Sequence, residues 1–198
     1  MNARGFTLLE LLISISLIVI IVVIVAGAMR LGYRSIEIGE KKIDSMNRLR
    51  MSLSIIDAQL QSEAPLAYDG ENGREFYFKG ERKSLQFSTN YSVWNGRRGH
   101  VIAVYKVEPD YYGRQVLYVS ENIIGQKSKR ETKLFDDMDD IYFEYFNKVI
   151  TTEDKWIPEW AETTDIPEKV RIQIHQGAVK LSLIIPTRAR GSLLRATQ

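Results

Sequence analysis

Residues 4–29, RGFTLLELLISISLIVIIVVIVAGAM, are the stretch that decides how the chain folds. From Leu11 to Met29 it has no charged residue, and this length is close to the ~20 residues that a helix needs to cross a bilayer core. The run is longer than the ~7–15 apolar residues of a secretory signal. We therefore predict a helix that stays attached to the chain as an anchor.

Glu10 is a charge inside the longer apolar segment that begins at Phe6. A carboxylate within the membrane costs about 2.5–3.5 kcal/mol on insertion scales, so it is expected to have a partner there. Its position alone leaves two interpretations open. Glu10 either marks the membrane edge, with its charge among the head groups, or it is held inside the membrane by a cationic partner.

The residues around it, Arg4-Gly5-Phe6-Thr7-Leu8-Leu9-Glu10, resemble the class III leader junction of type IV pilins and type II secretion pseudopilins. The resemblance implies that a prepilin peptidase cuts between Gly5 and Phe6, and that Phe6 becomes the N-methylated terminus. It also implies that Glu10 pairs with the N-terminal amine of a neighbouring subunit. Such a pair would set the axial registry of a filament, because a lone buried charge is strongly penalised.

Gly27 is informative about the kind of pilin. Many major pilins have a proline at the matching place in this helix, whereas a glycine weakens the helix without requiring a kink. This departure favours a minor pilin or a pseudopilin.

Apolar residues continue at helical spacing beyond Met29. The stripe comprises Ile36, Ile43, Met46, Leu49, Leu53, Ile56 and Leu60. This spacing places its members on one helix face, and Ala64-Pro65 ends the helix because a residue before proline avoids the helical region. We predict one helix from about Phe6 to about Glu63, with its first half in lipid and its second half packed on a globular core.

Short runs of alternating β-branched and aromatic residues then predict antiparallel strands. The predicted strands are 75–79, 84–89, 100–107, 115–120, 140–146, 169–174 and 179–185. Gln176-Gly177 predicts a hairpin turn, and the polar stretches 69–74, 95–99 and 125–132 predict loops. A long helix followed by antiparallel strands is an α+β arrangement.

The predicted organisation is therefore a leader peptide at 1–5, a transmembrane and assembly helix at 6–29, its amphipathic continuation at 30–64, and a β-rich domain at 65–198.

A narrower resemblance lies in the β-rich part. The strand 141–146 (IYFEYF), the segment from Trp156 to Trp160, and the strand entry 166–172 (IPEKVRI) follow one another in an order that resembles minor pseudopilin J of type II secretion. The helix end at 49–61 and the strand pair 84–89 and 101–107 are similar to that family as well. Minor type IV pilins share much of this pattern and remain an alternative.

That family implies a pilin-like fold, with a single inner-membrane pass and a periplasmic C-terminal domain that is incorporated into a periplasmic pseudopilus. It also implies partners: the prepilin peptidase, sister minor pseudopilins I and K at the pseudopilus tip, the inner-membrane secretion machinery, and membrane lipid.

Composition and motifs give no support to an enzyme. The net charge is +2 and there is no cysteine, so a nucleic-acid partner, disulfides and thiol catalysis are not predicted. The chain has no Gly-x-Ser-x-Gly elbow, Walker loop or dinucleotide fingerprint. We predict no catalytic residue and no cofactor. A signal-anchored periplasmic enzyme remains the alternative from a different class.

Two groups of side chains keep open interpretations. The densest acidic cluster consists of Asp136, Asp137, Asp139, Asp140 and Glu144. Carboxylates suit calcium, but the spacing does not follow an EF-hand loop, so a solvated turn before a strand is favoured. Trp156 and Trp160 either face a partner, as interface aromatics do, or pack in the core, which is the default. His100 and His175 are interpreted as surface residues of strands.

Overall fold

The computed structural model describes residues 7–70, 73–94, 100–124, 129–147 and 155–188. In these ranges it has a helix, α1 (Leu8–Gln61), and the following strands: β1 (Ala67–Gly70), β2 (Gly73–Phe76), β3 (Lys79–Gly80), β4 (Ser84–Thr89), β5 (Val101–Pro109), β6 (Gln115–Ile123), β7 (Lys129–Met138), β8 (Asp140–Asn147), β9 (Lys155–Ile157), β10 (Lys169–Gln176) and β11 (Val179–Pro186). The chain divides into two compact units, Met1–Asn47 and Arg48–Gln198.

The first unit is helical throughout its described part from Leu8 onward. An 18-residue window of α1 has a mean hydropathy of 3.2, so by length and composition the helix can cross a membrane. Its apolar side chains, including Leu11 and Met29, are exposed. An apolar surface of this extent requires a covering of lipid or protein.

The second unit contains two antiparallel sheets and a small hairpin. One sheet has five strands in the order β3-β4-β5-β6-β7, the other has four in the order β11-β10-β8-β9, and β1 pairs with β2. β8 contacts β3, β4 and β6, so the four-stranded sheet packs on the five-stranded one. The α+β prediction is confirmed.

Alternation along the strands creates the core between the sheets. The central strand β8 buries every second residue, and β10 does the same. The largest fully buried apolar side chains are Leu85, Phe87, Tyr105, Leu117, Ile141, Phe143, Tyr145, Ile172 and Ile185, with Ile56 and Leu60 from α1. Each such aliphatic or aromatic side chain contributes about 1.5–3 kcal/mol by burial.

A buried polar network joins the end of α1 to the five-stranded sheet. Gln59 Nε2 donates to Glu121 Oε1 at 2.6 Å, and the Tyr105 hydroxyl donates to Gln59 Oε1 at 2.5 Å. The Glu121 carboxylate also accepts from the Ser92 hydroxyl (2.6 Å) and from the backbone N–H of Val93 (2.7 Å). The network satisfies a carboxylate that would otherwise be costly to bury.

The predicted apolar stripe of α1 packs on the core over only part of its length. Leu49, Leu53, Ile56 and Leu60 lie in or against the core, whereas Ile36, Ile43 and Met46 are exposed. The prediction that the whole second half covers a globular core is therefore wrong. The unit that contains the sheets begins at Arg48, and the stripe residues before it belong to the helical unit.

Two predicted loops were also wrong in part. Residues 129–132 of the predicted loop 125–132 belong to β7, and residues 69–70 and 73–74 of the predicted loop 69–74 belong to β1 and β2. Residues 71–72 and 125–128 of these loops lie outside the described ranges. β7 lies at the edge of its sheet and begins with the charged run Lys129-Arg130-Glu131. Charged residues are typical of edge strands but hide the period-2 pattern. The predicted hairpin is confirmed, with its turn at Gly177-Ala178, one residue later than predicted, and Gly177 adopts a positive φ of 59° there. Residues 95–99 lie outside the described ranges.

Candidate functional site: the N-terminal assembly motif

The first turn of α1 contains reciprocal hydrogen bonds between Thr7 and Glu10. The backbone N–H of Glu10 donates to Thr7 Oγ1 at 3.3 Å, and the backbone N–H of Thr7 donates to Glu10 Oε2 at 3.1 Å. The Thr7 hydroxyl also donates to Glu10 Oε2 at 3.1 Å. This is a capping box, in which a Thr and a Glu three residues later satisfy the free N–H groups of a helix start.

Glu10 therefore has a role within its own chain, which the sequence analysis missed although the Thr-x-x-Glu signature was available. Both bonds from Thr7 fall on Oε2, so the carboxylate is oriented by the helix that carries it. A negative charge in the first turn is also favoured by the helix dipole. The carboxylate is thus held in a fixed orientation at the start of α1. Gly5 and Phe6 lie outside the described residues, and their cleavage and methylation stay predictions.

The two serines in the apolar segment satisfy their hydroxyl groups internally. Ser14 Oγ donates to the Glu10 carbonyl and Ser16 Oγ donates to the Leu12 carbonyl, each at 2.8 Å. A hydroxyl that bonds one turn back along its own helix needs no other partner. The serines are thus compatible with an apolar environment around α1.

The structure separates the two tryptophans that the sequence analysis considered together. Trp160 is 8% exposed, and its indole N–H donates to the Asp165 carbonyl at 3.1 Å, so it packs in the core. Trp156 lies on β9 and is half-buried. Its ring contacts Phe146 at 5.4 Å between centroids, and the Arg171 guanidinium lies 4.2 Å above it.

The acidic cluster is a set of ion pairs. Asp137 and Asp139 both pair with Arg114, and Asp136 pairs with Lys133. Farther along the cluster, Asp140 bonds Lys83 Nζ and Glu144 bonds Arg171, so every acid of the cluster is paired with a cation, and Asp137 and Asp139 share one. Within the described ranges no three acidic, histidine or cysteine side chains are grouped as a metal site would require.

The carboxyl of Asp139 is held in its ionised form. The backbone N–H of Gly177 donates to it at 2.5 Å, and this bond, followed by the Arg114 guanidinium, lowers its pKa below the ordinary value. Asp136 and Asp137 lie in the last residues of β7, so only Asp139 separates β7 from β8. The predicted solvated turn is therefore shorter than the sequence suggested.

The histidines have no catalytic partner among the described residues. His175 lies on β10 in edge contact with the Tyr142 ring, at 5.7 Å between centroids. His100 is exposed and immediately precedes β5, so it is not a strand residue as predicted.

Glu63 is an unusual group that the sequence analysis did not single out. It follows the end of α1, is 7% exposed, and its Oε2 atom is buried without a hydrogen-bond partner. Burial raises the pKa of this carboxyl from its ordinary 4.5 to about 8, so it is protonated at neutral pH. Glu63 lines a surface cavity of about 360 Å³ together with Gln61, Ser62, Asn90 and Arg188.

Comparison with known families gives a match in the N-terminal region. Residues 1–26 match the model of the prokaryotic N-terminal methylation motif. The chain has no match among the curated proteins. The matched residues include the leader junction, Glu10 and most of the apolar run. Together with the long apolar helix and the antiparallel sheets, this motif supports a type IV pilin-like protein, either a pilin or a pseudopilin.

Proposed function

We propose that the protein is a minor pseudopilin of the type II protein secretion system, which joins sister minor pseudopilins I and K at the pseudopilus tip to initiate assembly and support exoprotein export. The main support for a pilin-like protein is the methylation motif at residues 1–26, which leads directly into an apolar run without charges. The narrower assignment to pseudopilin J rests on the order of strand 141–146, the Trp156–Trp160 segment and residues 166–172. In this proposal the protein has a structural role and no enzymatic one.

The proposed location is the inner membrane, with α1 crossing once and the second unit in the periplasm. The apolar part of α1 is compatible with membrane anchoring. Prepilin peptidase would release residues 1–5, and the mature subunit would enter a periplasmic pseudopilus with help from the inner-membrane secretion machinery.

Mass spectrometry of the N-terminus tests the class of protein. The chain is expressed with and without a prepilin peptidase. We expect a terminus at methylated Phe6 only when the peptidase is present. An intact Met1 terminus in both samples would contradict pilin-like processing and favour a signal-anchored periplasmic protein.

Co-purification separates the two assembly systems. We expect the mature subunit to co-purify with minor pseudopilins I and K, and its deletion to reduce exoprotein export. Retention by surface-pilus subunits, with export unchanged, would instead identify a minor type IV pilin.

Variants of the capping box test the proposed registry role of Glu10. Glu10→Ala removes both the carboxylate and the cap, whereas Thr7→Ala removes the cap hydroxyl and keeps the carboxylate. We expect both variants to insert and to be processed, but only Glu10→Ala to lose co-purification with sister subunits. Glu40→Ala, an exposed acidic position of the same helix, serves as the control. Equal losses in Glu10→Ala and Thr7→Ala would show that the cap matters and the charge does not.

A further inference from the structure

The outer face of the four-stranded sheet carries aromatic rings covered by cations. Tyr142, Phe146 and Trp156 alternate with the core residues of β8 and β9 and so lie on the face turned away from the core. Arg82 lies 4.2 Å from the Tyr142 ring centroid, Lys169 Nζ lies 4.6 Å from that of Phe146, and Arg171 lies 4.2 Å from that of Trp156. We call these six side chains the aromatic–cation face.

The cations of this face differ in how their charge is balanced. Arg171 forms an ion pair with Glu144 at 2.7 Å, and their side chains are 21% and 18% exposed. Arg82 and Lys169 have no carboxylate within ion-pair distance among the described residues. Their aromatic contacts fix their positions without neutralising their charge, since a ring quadrupole attracts a cation but carries no net charge. Among the described residues, the face thus presents two oriented positive charges without a carboxylate partner.

The two aromatic residues that these cations cover indicate the spacing of a ligand. Tyr142 and Phe146 lie four residues apart on β8, which is about 13 Å along a strand. Carboxylates on one face of an extended segment repeat about every 7 Å, so residues i and i+4 of such a segment match this distance.

The chemistry of the face favours a protein partner over nucleic acid. Bases bind aromatic residues by stacking on free ring faces, but here a cation covers one face of each ring. Phe146 and Trp156 also contact each other edge to face. The small net charge of +2 also gives little attraction for a polyphosphate.

We propose that the aromatic–cation face docks an acidic, extended segment of a partner protein, with Arg82 and Lys169 as the residues that bind its carboxylates. Arg171 and Glu144 hold the centre of the face in position, and Trp156 supports Arg171. The proposal concerns a surface of the second unit and does not depend on processing of the N-terminus.

Fluorescence anisotropy with a labelled eight-residue peptide of alternating Glu and Ser tests the proposal. The full chain is used in a non-ionic detergent at low salt. We expect saturable binding, and Arg82→Gln combined with Lys169→Gln is expected to weaken it about tenfold or more, since two charge-assisted bonds are lost. Arg82→Lys combined with Lys169→Arg keeps both charges and should bind within about threefold of the native chain.

Lys106→Gln combined with Arg130→Gln is the matched control. It removes the same charge from exposed positions of the five-stranded sheet and should leave binding unchanged. The proposal is overturned if the native chain does not bind the peptide, if this control loses as much affinity, or if an eight-nucleotide oligo-dT binds more tightly through the same residues. If the double Gln variant melts at a lower temperature than the native chain, the single variants Arg82→Gln and Lys169→Gln are measured instead. Each is expected to lower the affinity for the peptide about threefold.

Discussion

Replacing Glu63 by glutamine is expected to stabilise the second unit at neutral pH. The carboxyl is 7% exposed and its Oε2 atom has no hydrogen-bond partner, so its ionised form is strongly disfavoured in the folded chain. Its pKa is about 8 in the folded state against an ordinary value of 4.5. Glutamine has nearly the same shape and never carries the charge, so the penalty disappears while packing is kept.

The sign and size of this change in the free energy of unfolding follow from the linkage between protonation and folding. Because the folded-state pKa is raised, Glu63 is most favourable below pH 4.5 and its contribution is lost as the pH rises to about 8. Each pH unit in this window costs about 1.4 kcal/mol. At pH 7 the folded chain retains a proton that the unfolded chain releases, which costs about 3 kcal/mol. Glu63→Gln should therefore raise the free energy of unfolding by about 3 kcal/mol at pH 7 and by little at pH 4.5.

Urea denaturation followed by tryptophan fluorescence measures this effect in the full chain in detergent. Trp94, Trp156 and Trp160 all lie in the second unit, so the signal reports on its unfolding alone. Glu159→Gln, at an exposed position, is the control and should change stability by less than about 0.5 kcal/mol at any pH. An unchanged difference between Glu63→Gln and the native chain from pH 5 to pH 8 would refute the reasoning, as would a less stable variant at pH 7.

Three further substitutions probe the packing of the same unit. Gln59→Leu leaves the buried carboxylate of Glu121 short of a donor and should cost about 3 kcal/mol in urea unfolding. Gly80→Ala places a Cβ 2.5 Å from the Tyr145 ring and should cost about 2 kcal/mol, measured in the same way. Gly177→Ala forces a side chain into a φ of 59° and should lower stability by about 1 kcal/mol, with the β10–β11 hairpin exchanging amide hydrogens faster.

Double variants check the assigned causes. Gln59→Leu combined with Glu121→Leu removes both members of the polar pair and should recover part of the loss, whereas strict additivity would contradict a direct interaction. Gly80→Ala combined with Tyr145→Leu should be less harmful than the sum of the two single changes, because the ring that the new Cβ meets is gone. For the hairpin, Gly177→Asn is the comparison, since asparagine tolerates positive φ and should cost less than alanine.

Periodicity predicted those elements in which one face is buried. The alternation of β8 and β10, the spacing from Leu49 to Leu60, and the Gly177 turn were all visible in the sequence, because burial imposes a fixed period on apolar residues. β7 was not recognised, since an edge strand needs no apolar face and this one is charged at its start.

The sequence was less informative about residues whose burial depends on contacts with distant parts of the chain. The stripe from Ile36 to Met46 has the same spacing as the buried residues after it, and spacing alone does not show where the core begins. Nothing in the sequence near Glu63 indicates that its carboxyl is buried without a partner, because Thr89, Asn90 and Arg188, which lie beside it in the fold, are distant in sequence. The capping box at Thr7 and Glu10 was local and could have been predicted.

The intrahelical hydrogen bonds of Ser14 and Ser16 bear on how α1 could pack against other helices. With both hydroxyls bonded to carbonyls of the same helix, the segment from Leu11 to Met29 offers few free polar groups to its surroundings. Any selectivity in how this helix packs against another would then depend on the shape of its surface. The small residues Ala26-Gly27-Ala28 leave a shallow depression between branched side chains, and small residues let helices approach closely. At the start of α1, Glu10 is the group that can bind a partner through its charge, whereas the apolar residues after it can be distinguished only by their shape.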